Sequence, residues 1–350
     1  MENYAAVLHG PSDIRMEEWP VPKINDNEVL IKMACVGICG SDVKLYSTGR
    51  CGFDVLDQPI VVGHEGAGVV ELVGAQVKNV KVGDRVAIEP TQPCRACEYC
   101  KQGRYNLCVE PRYCSSLGVH GNLATYYKHV ADFCHVIPDN LSMEEGAAVQ
   151  PLAIAIHACN RANIKLGSKM VIFGAGPIGV LCAMSAKAMG ASKIVMTDVV
   201  QSRLDVAEKM AADRTLLVKG LSEDETARLL TGMLGGQPDI VIDACAHPSA
   251  QRVAMTVTRS GGLVLVVGIA EGALQEVPLA AALLREVDVR GSFRIVNTYP
   301  AALAAVSSGA IDLKRFITHH LPLRRAAQAL ELARSGAAMK IIVHVQDQQH

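Results

Sequence analysis

The chain has 350 residues, half of them apolar and 20% charged, with a formal net charge of −1. That length suggests two domains with sizeable cores. The near-neutral charge and the lack of Lys/Arg runs give no electrostatic case for nucleic acid or a membrane surface, and apolar runs such as Leu263–Ile269 are far too short to span a bilayer. Met1-Glu2-Asn3 carries neither a basic start nor an apolar signal stretch, so a reducing, cytoplasmic setting fits.

The part up to about residue 150 is rich in Gly, Pro and Val in short alternating runs. Val29–Ala34, Gly68–Val73 and Asp84–Ile88 read as strands between turn residues, an irregular, barrel-like β unit. From about Leu152 strands alternate with helices. Lys169–Phe173 predicts a strand, Pro177–Met189 a helix, Lys193–Thr197 a strand and Ser202–Met210 a helix. Thr215–Val218, Asp239–Ala244, Leu263–Gly268 and Val287–Phe293 continue the strand series. Near-continuous apolar strands alternating with helices imply a parallel sheet covered on both faces. Pro300–Ser308 and Arg324–Ala333 read as helices and Lys340–Val345 as a strand, in a tail that could return to the first domain. The polar stretch Gln346–His350 is expected to fray.

Three groups of residues carry chemistry. Cys39, in Gly37-Ile38-Cys39-Gly40-Ser41-Asp42, and His64-Glu65, between Gly63 and Gly66, offer a thiolate, an imidazole and a carboxylate, all acceptable to a zinc ion with one open position. Glycines on both sides would let the backbone crowd the ion, and Ser41 could pass a proton. On spacing alone these residues could equally be core residues, because a single Cys and a single His in separate segments often are. His129, His135 and His157 read as packed or exposed bystanders. The second group is Cys94-x2-Cys97-x2-Cys100-x7-Cys108. Thiolates at this spacing can meet one tetrahedral zinc in a closed, structural site. Paired disulfides are the weaker alternative in so long a chain with no secretory signal. The remaining eight cysteines are scattered, and most read as small buried hydrophobes.

The third group is Gly174-Ala175-Gly176-Pro177-Ile178-Gly179, between a predicted strand and a predicted helix. Gly174 permits the tight turn, Gly176 the approach of backbone amides to a pyrophosphate, and Gly179 close helix–strand packing. Asp198, at the end of the next strand, can accept hydrogen bonds from an adenosine ribose and repels a 2′-phosphate. NAD is therefore favoured over NADP, with Arg203 a partial offset.

Together these residues resemble the zinc-dependent medium-chain dehydrogenase/reductase superfamily, and within it the sorbitol (polyol) dehydrogenases. Similarity runs from Ala5 to Val345, through Val36–Val43, Gly103–Leu107, Gly121–Leu123, Pro138–Asn140, Gly174–Gly179, Arg285–Asp288 and Thr318-His319. The resemblance implies a GroES-like β-barrel catalytic domain holding both zinc sites, residues 1–151 plus 295–350, and a Rossmann doubly wound parallel-sheet domain, residues 152–294. It also implies a cleft between them and a tetramer.

Residue by residue, the resemblance makes Cys39, His64 and Glu65 the catalytic zinc ligands, and Asp198 and Arg203 the ribose contacts. Ile178 joins the phosphate turn. Val267-Gly268-Ile269 and Ser292-Phe293-Arg294 match the segments lining nicotinamide, and Arg294 also an arginine that contacts the sugar alcohol. The implied reaction is reversible hydride transfer from a secondary alcohol to NAD, leaving a ketone, with Ser41 passing the proton outward.

Departures cluster at the substrate. Gln150 stands where the family has a Glu beside the zinc, an uncharged amide that donates as well as accepts. Lys44-Leu45 replaces a His-Tyr pair, Ile295 replaces a Tyr, and Leu117-Gly118-Val119-His120 replaces a Pro- and Asp-rich loop. Leu45 and Ile295 hint at a substrate less hydroxylated than sorbitol. A relative that keeps zinc and NAD but turns over little, in a binding or structural role, is the alternative that Gln150 and Lys44 motivate.

Overall fold

A computed structural model describes residues 1–51, 54–116, 118–269 and 276–346. Leu117 of the departing loop, and Asp347 to His350 of the expected frayed tail, lie outside the described residues. Gln346 is pinned rather than frayed: its side-chain amide donates to Met33 O at 2.8 Å.

The chain forms two compact units, Met1–Gln150 with Tyr299–His350, and Pro151–Thr298. The expected boundaries were 1–151 plus 295–350 and 152–294. Residues 295–298 go with the second unit because Thr298, buried, donates its hydroxyl to Ala153 O at 2.9 Å. The first boundary falls inside the helix Met143–Ala162, at Pro151. The repetitive small and apolar run from Ala147 to Ala158 hid that helix from a reading based on amphipathic period, because its middle is buried all round.

In the first unit the central sheet runs Cys134–Val136, Arg85–Ile88, Glu65–Val73, Glu28–Gly37, Ile341–His344, His319–Pro322, with Tyr126–Val130 also paired to Glu28–Gly37. The strand Glu28–Gly37 has Val29, Leu30, Ile31, Met33, Val36 all at 1% exposure or less, and its tail partner Ile341–His344 is equally apolar at Ile342 and Val343. Burial of that apolar surface, at about 25 cal/mol per Å², is what holds the sheet together. A second sheet of Asp13–Glu18, Tyr4–Gly10 and Ile60–Val61 completes the barrel-like unit.

In the second unit six strands lie in the order Arg214–Leu217, Lys193–Asp198, Lys169–Phe173, Ile240–Asp243, Leu263–Val266, Asp288–Gly291, every neighbouring pair parallel. Reading outward from Lys169–Phe173, the chain runs one way to Arg214–Leu217 and then the other way to Asp288–Gly291. The reversal sits between Lys169–Phe173 and Ile240–Asp243, where an open α/β sheet takes its ligand beyond the carboxyl ends of the strands.

Candidate active site and dinucleotide cradle

Cys39 precedes the helix Gly40–Thr48, and its backbone N–H donates to Asp42 Oδ2 at 3.0 Å. The other oxygen of Asp42 lies 3.3 Å from His64 Nδ1. One buried carboxylate thus fixes both the helix start that carries Cys39 and the ring of His64, leaving Nε2 as the nitrogen available to a metal. Burial pushes the Asp42 carboxyl up, but the charge and hydrogen bond of His64, with the N–H groups of Cys39 and Gly63, outweigh it and hold the group below its usual range. Burial likewise disfavours a charged His64, yet Asp42 and Cys39 reverse this and raise its imidazolium well above the ordinary value.

Glu65 pairs across the sheet with Gly37. A Cβ at Gly37 would lie 2.2 Å from Glu65 Oε2, so only glycine leaves room for the carboxylate to fold back over that strand. Gly40 plays no such part, since a Cβ there would meet nothing within 4 Å. Glu65 is fully buried, and both its oxygens accept from Lys340 Nζ, at 2.9 and 2.6 Å. Lys340, 3% exposed, also donates to Ile38 O at 3.0 Å. The ligating atoms of Cys39, His64 and Glu65 lie within 4.8 Å of one another. A half-buried thiol, a buried imidazole and a buried carboxylate converging at one place fit a zinc ion with an open position.

Gln150 is 1% exposed, and its amide donates to the Tyr113 hydroxyl at 3.3 Å, while its oxygen finds no partner. The Tyr113 ring packs 5.9 Å from that of His64. Ser41 lies half-buried in the first turn of its helix. Leu45 packs in the barrel core at 5% exposure. His120 accepts from Val61 N and stands edge-on to Trp19.

Sequence reasoning missed Asp42, Lys340 and Tyr113. Asp42 was legible as the third helical residue after a cap. Lys340, a cation at the head of the apolar run Ile341–Val343, was a signal that a buried partner awaited it.

In the cysteine lobe the four sulfurs lie within 4.8 Å of one another, with Cys94 and Cys100 Sγ 4.0 Å apart. A tetrahedral ion with sulfur ligands at about 2.3 Å needs sulfurs about 3.8 Å apart. No disulfide forms among the described cysteines. Backbone N–H groups of Cys100 and Val109 bring the Cys97 thiol down to about 6, while burial and its thiol neighbours push Cys100 up to about 12. Among the other cysteines, Cys245 is exposed and Cys51 intermediate, and five are buried.

The dinucleotide residues all gather at the carboxyl ends of the parallel strands. Gly174 follows Lys169–Phe173 with φ +97°. A Cβ at Gly179 would stand 1.9 Å from Gly174 O, whereas one at Gly176 would meet nothing. The open space at Gly176, before the uncapped first turn of Pro177–Ala188, is where an anion can meet free N–H groups. Ile178 is half-buried there. Asp198 closes its strand and accepts from Ala175 N at 2.8 Å and Val200 N at 3.0 Å, which ties it to the glycine turn. Arg203 lies in the next helix.

Val267 and Gly268 donate to Asp243 O at 2.9 and 3.0 Å, and Ile269 is 74% exposed. Ser292 has a buried hydroxyl with no partner; the Arg294 guanidinium lies 4.8 Å from the Phe293 ring, and Ile295 is buried. An orphaned hydroxyl, an open glycine turn and a strand-end acid fit a dinucleotide. Asp243, fully buried, was also missed; it accepts from Cys245 N, Ala246 N and Gln251 Nε2 and shapes the turn beside Gly268.

Residues 25–139 match the alcohol dehydrogenase GroES-like domain and residues 177–308 the zinc-binding dehydrogenase family. The chain is 70% identical to sorbitol dehydrogenase of Bombyx mori over 99% of both chains. It is 43% identical to sorbitol dehydrogenase of Bos taurus, over 98% of this chain and 96% of the other. An Escherichia coli oxidoreductase/dehydrogenase of unknown specificity superposes with a TM-score of 0.91 at 33% identity, covering 99% of this chain and 100% of the other.

Proposed function

The chain belongs to the zinc-dependent medium-chain dehydrogenase/reductase superfamily, in its sorbitol dehydrogenase branch, and on that premise we propose that it oxidises a polyol or related secondary alcohol reversibly to the ketose or ketone. The observation that carries the reading is the convergence of half-buried Cys39 with buried His64 and Glu65. Zinc bound there supplies Lewis acidity toward a substrate oxygen, and NAD supplies the hydride acceptor. Nothing found favours the little-turnover alternative.

The protein's own groups do the rest. Asp42 holds His64 in the ligating tautomer, and Lys340 orients Glu65. Ser41 hands the alcohol proton outward. The turn Gly174–Gly179, with Gly176 and Ile178, takes the pyrophosphate, and Asp198 with Arg203 takes the adenosine ribose. Val267, Gly268, Ile269, Ser292 and Phe293 line the nicotinamide, and Arg294 meets both ring and sugar alcohol. Gln150 stands near the reacting oxygen as a neutral amide. Leu45 and Ile295, apolar where a polyol site is polar, shift preference toward a substrate with fewer hydroxyls than sorbitol.

Among the described residues no helix is long and apolar enough to cross a membrane. A cytoplasmic homotetramer is the working assembly, checked by sedimentation at equilibrium. The functional test follows NAD reduction with sorbitol, xylitol, ribitol and simple secondary alcohols, with zinc analysis on the same sample. NAD reduction on at least one polyol is expected. No turnover on any of them despite bound zinc overturns the reading.

A further inference from the structure

Beyond the two zinc clusters, a third group of ligating side chains meets on the first unit. His320 lies on His319–Pro322 and His344 on Ile341–His344, two parallel neighbours in which His320 pairs with Ile342 and Pro322 with His344. The two rings stack, centroids 5.4 Å apart. Glu144 enters from the first turn of the helix Met143–Ala162. Its Oε1 lies 3.2 Å from His320 Nδ1 and 3.1 Å from His344 Nε2, and those nitrogens are 3.2 Å apart.

These three atoms form a nearly equilateral triangle. Donors about 2.1 Å from one ion stand about 3.4 Å apart on a tetrahedral face and about 3.0 Å apart on an octahedral one. The observed edges fall between those values. The triangle matches one face of such a coordination shell.

We infer that Glu144, His320 and His344 form a third cation site, for a divalent transition ion of the zinc, nickel and copper class. Two imidazoles select against magnesium and calcium, which require oxygen ligands. All three side chains are about a third to a half exposed, so an ion reaches them from solvent. The far nitrogen of His344, Nδ1, faces Cys35 Sγ at 3.7 Å, across the strand pair Ile341–His344 and Glu28–Gly37. That contact orients the ring and leaves Nε2 toward the triangle. Cys35 is no fourth ligand. It is buried and sits on the opposite edge of the ring, against Nδ1 and not Nε2. Bound there, an ion ties the start of the helix that carries Gln150 to the two tail strands.

The test uses untagged protein with its resident zinc, freed of loose metal on a chelating resin. Zinc uptake at low-micromolar free ion is measured by equilibrium dialysis and elemental analysis, for the parent and for the double variant His320→Ala/His344→Ala. The parent is expected to take up one equivalent more than the variant, and copper(II) to bind at the same place at least tenfold tighter than zinc. Its electron paramagnetic resonance spectrum should carry splitting from two nitrogens. Magnesium and calcium should not compete. Equal uptake by parent and variant, or no added equivalent in the parent, overturns the site. Unchanged far-ultraviolet circular dichroism of the variant separates loss of ligands from loss of fold.

Discussion

In the second unit most of the groups placed for a dinucleotide are backbone: an open turn at Gly176, free N–H groups at a helix start, and strand ends aligned by a parallel ladder. In the first unit the groups placed for a metal are side chains drawn from residues as far apart as Cys39, Glu65 and Lys340, each held by another side chain. A backbone site is rigid as long as its sheet is. A side-chain site is only as good as its supporting partners, and loses geometry when any one is removed. The two units should therefore fail in different ways.

The largest expected effect is at Lys340. Lys340→Met leaves Glu65 as a buried charge without its partner, at a cost of about 3–5 kcal/mol. Urea unfolding of metal-stripped protein measures it, and added zinc should recover part of the loss by supplying positive charge. Stability equal to the parent in both states breaks the contrast between the units. In the second unit, Gly179→Ala drives a methyl against Gly174 O, with a loss of about 1–3 kcal/mol and weaker NAD binding. Calorimetry of NAD binding beside the unfolding curve tests this. An unchanged affinity shows that the turn has slack.

A third prediction concerns pH and the first unit alone. His129 is fully buried and gives its Nε2 proton to Glu89 O at 2.8 Å, while Nδ1 faces Gln92 Nε2 and the Tyr127 hydroxyl. Burial brings it down to about 4, below the unfolded value, so the unfolded chain binds the proton first as pH falls. Its stabilising share is complete above about pH 6.5 and falls by about 2 kcal/mol from pH 7 to pH 5. Denaturant midpoints at the two pH values should converge in His129→Gln, and a parent that loses nothing more than this variant sinks the assignment. The smallest effect is at Gln150. Gln150→Glu restores a carboxylate beside Tyr113 and should raise sorbitol turnover severalfold or slow zinc loss to a chelator. If neither moves, the account of this position is wrong.

These differences also explain what the sequence alone made readable. The glycine turn, Asp198 and the strands around them are local in sequence, and Lys169–Phe173 is the predicted strand to the residue. Cys94 to Cys108 is equally local. Asp42 was legible as a cap for Cys39, but its reach to His64, about 20 positions on, and the contacts of Tyr113 and Lys340, up to about 300 positions away, are reported by no period or spacing. The helix Met143–Ala162 escaped for a different reason: with neither polar face nor break at Pro151, it offers no amphipathic pattern to detect.

The position of Ile341–His344 inside its sheet, between Glu28–Gly37 and His319–Pro322, bears on the order of assembly during synthesis. The second unit is contiguous in sequence and can close on itself as soon as residue 298 has emerged. The first unit cannot: its sheet lacks an interior strand, and Glu65 its countercharge, until residues past 340 arrive. The nascent first half must wait, with the Cys35–Gly37 edge and Glu65 without their late partners, while the inserted unit folds ahead of it. The longest exposure to chaperones and to aggregation thus falls on the strands that carry Cys39's approach and Glu65.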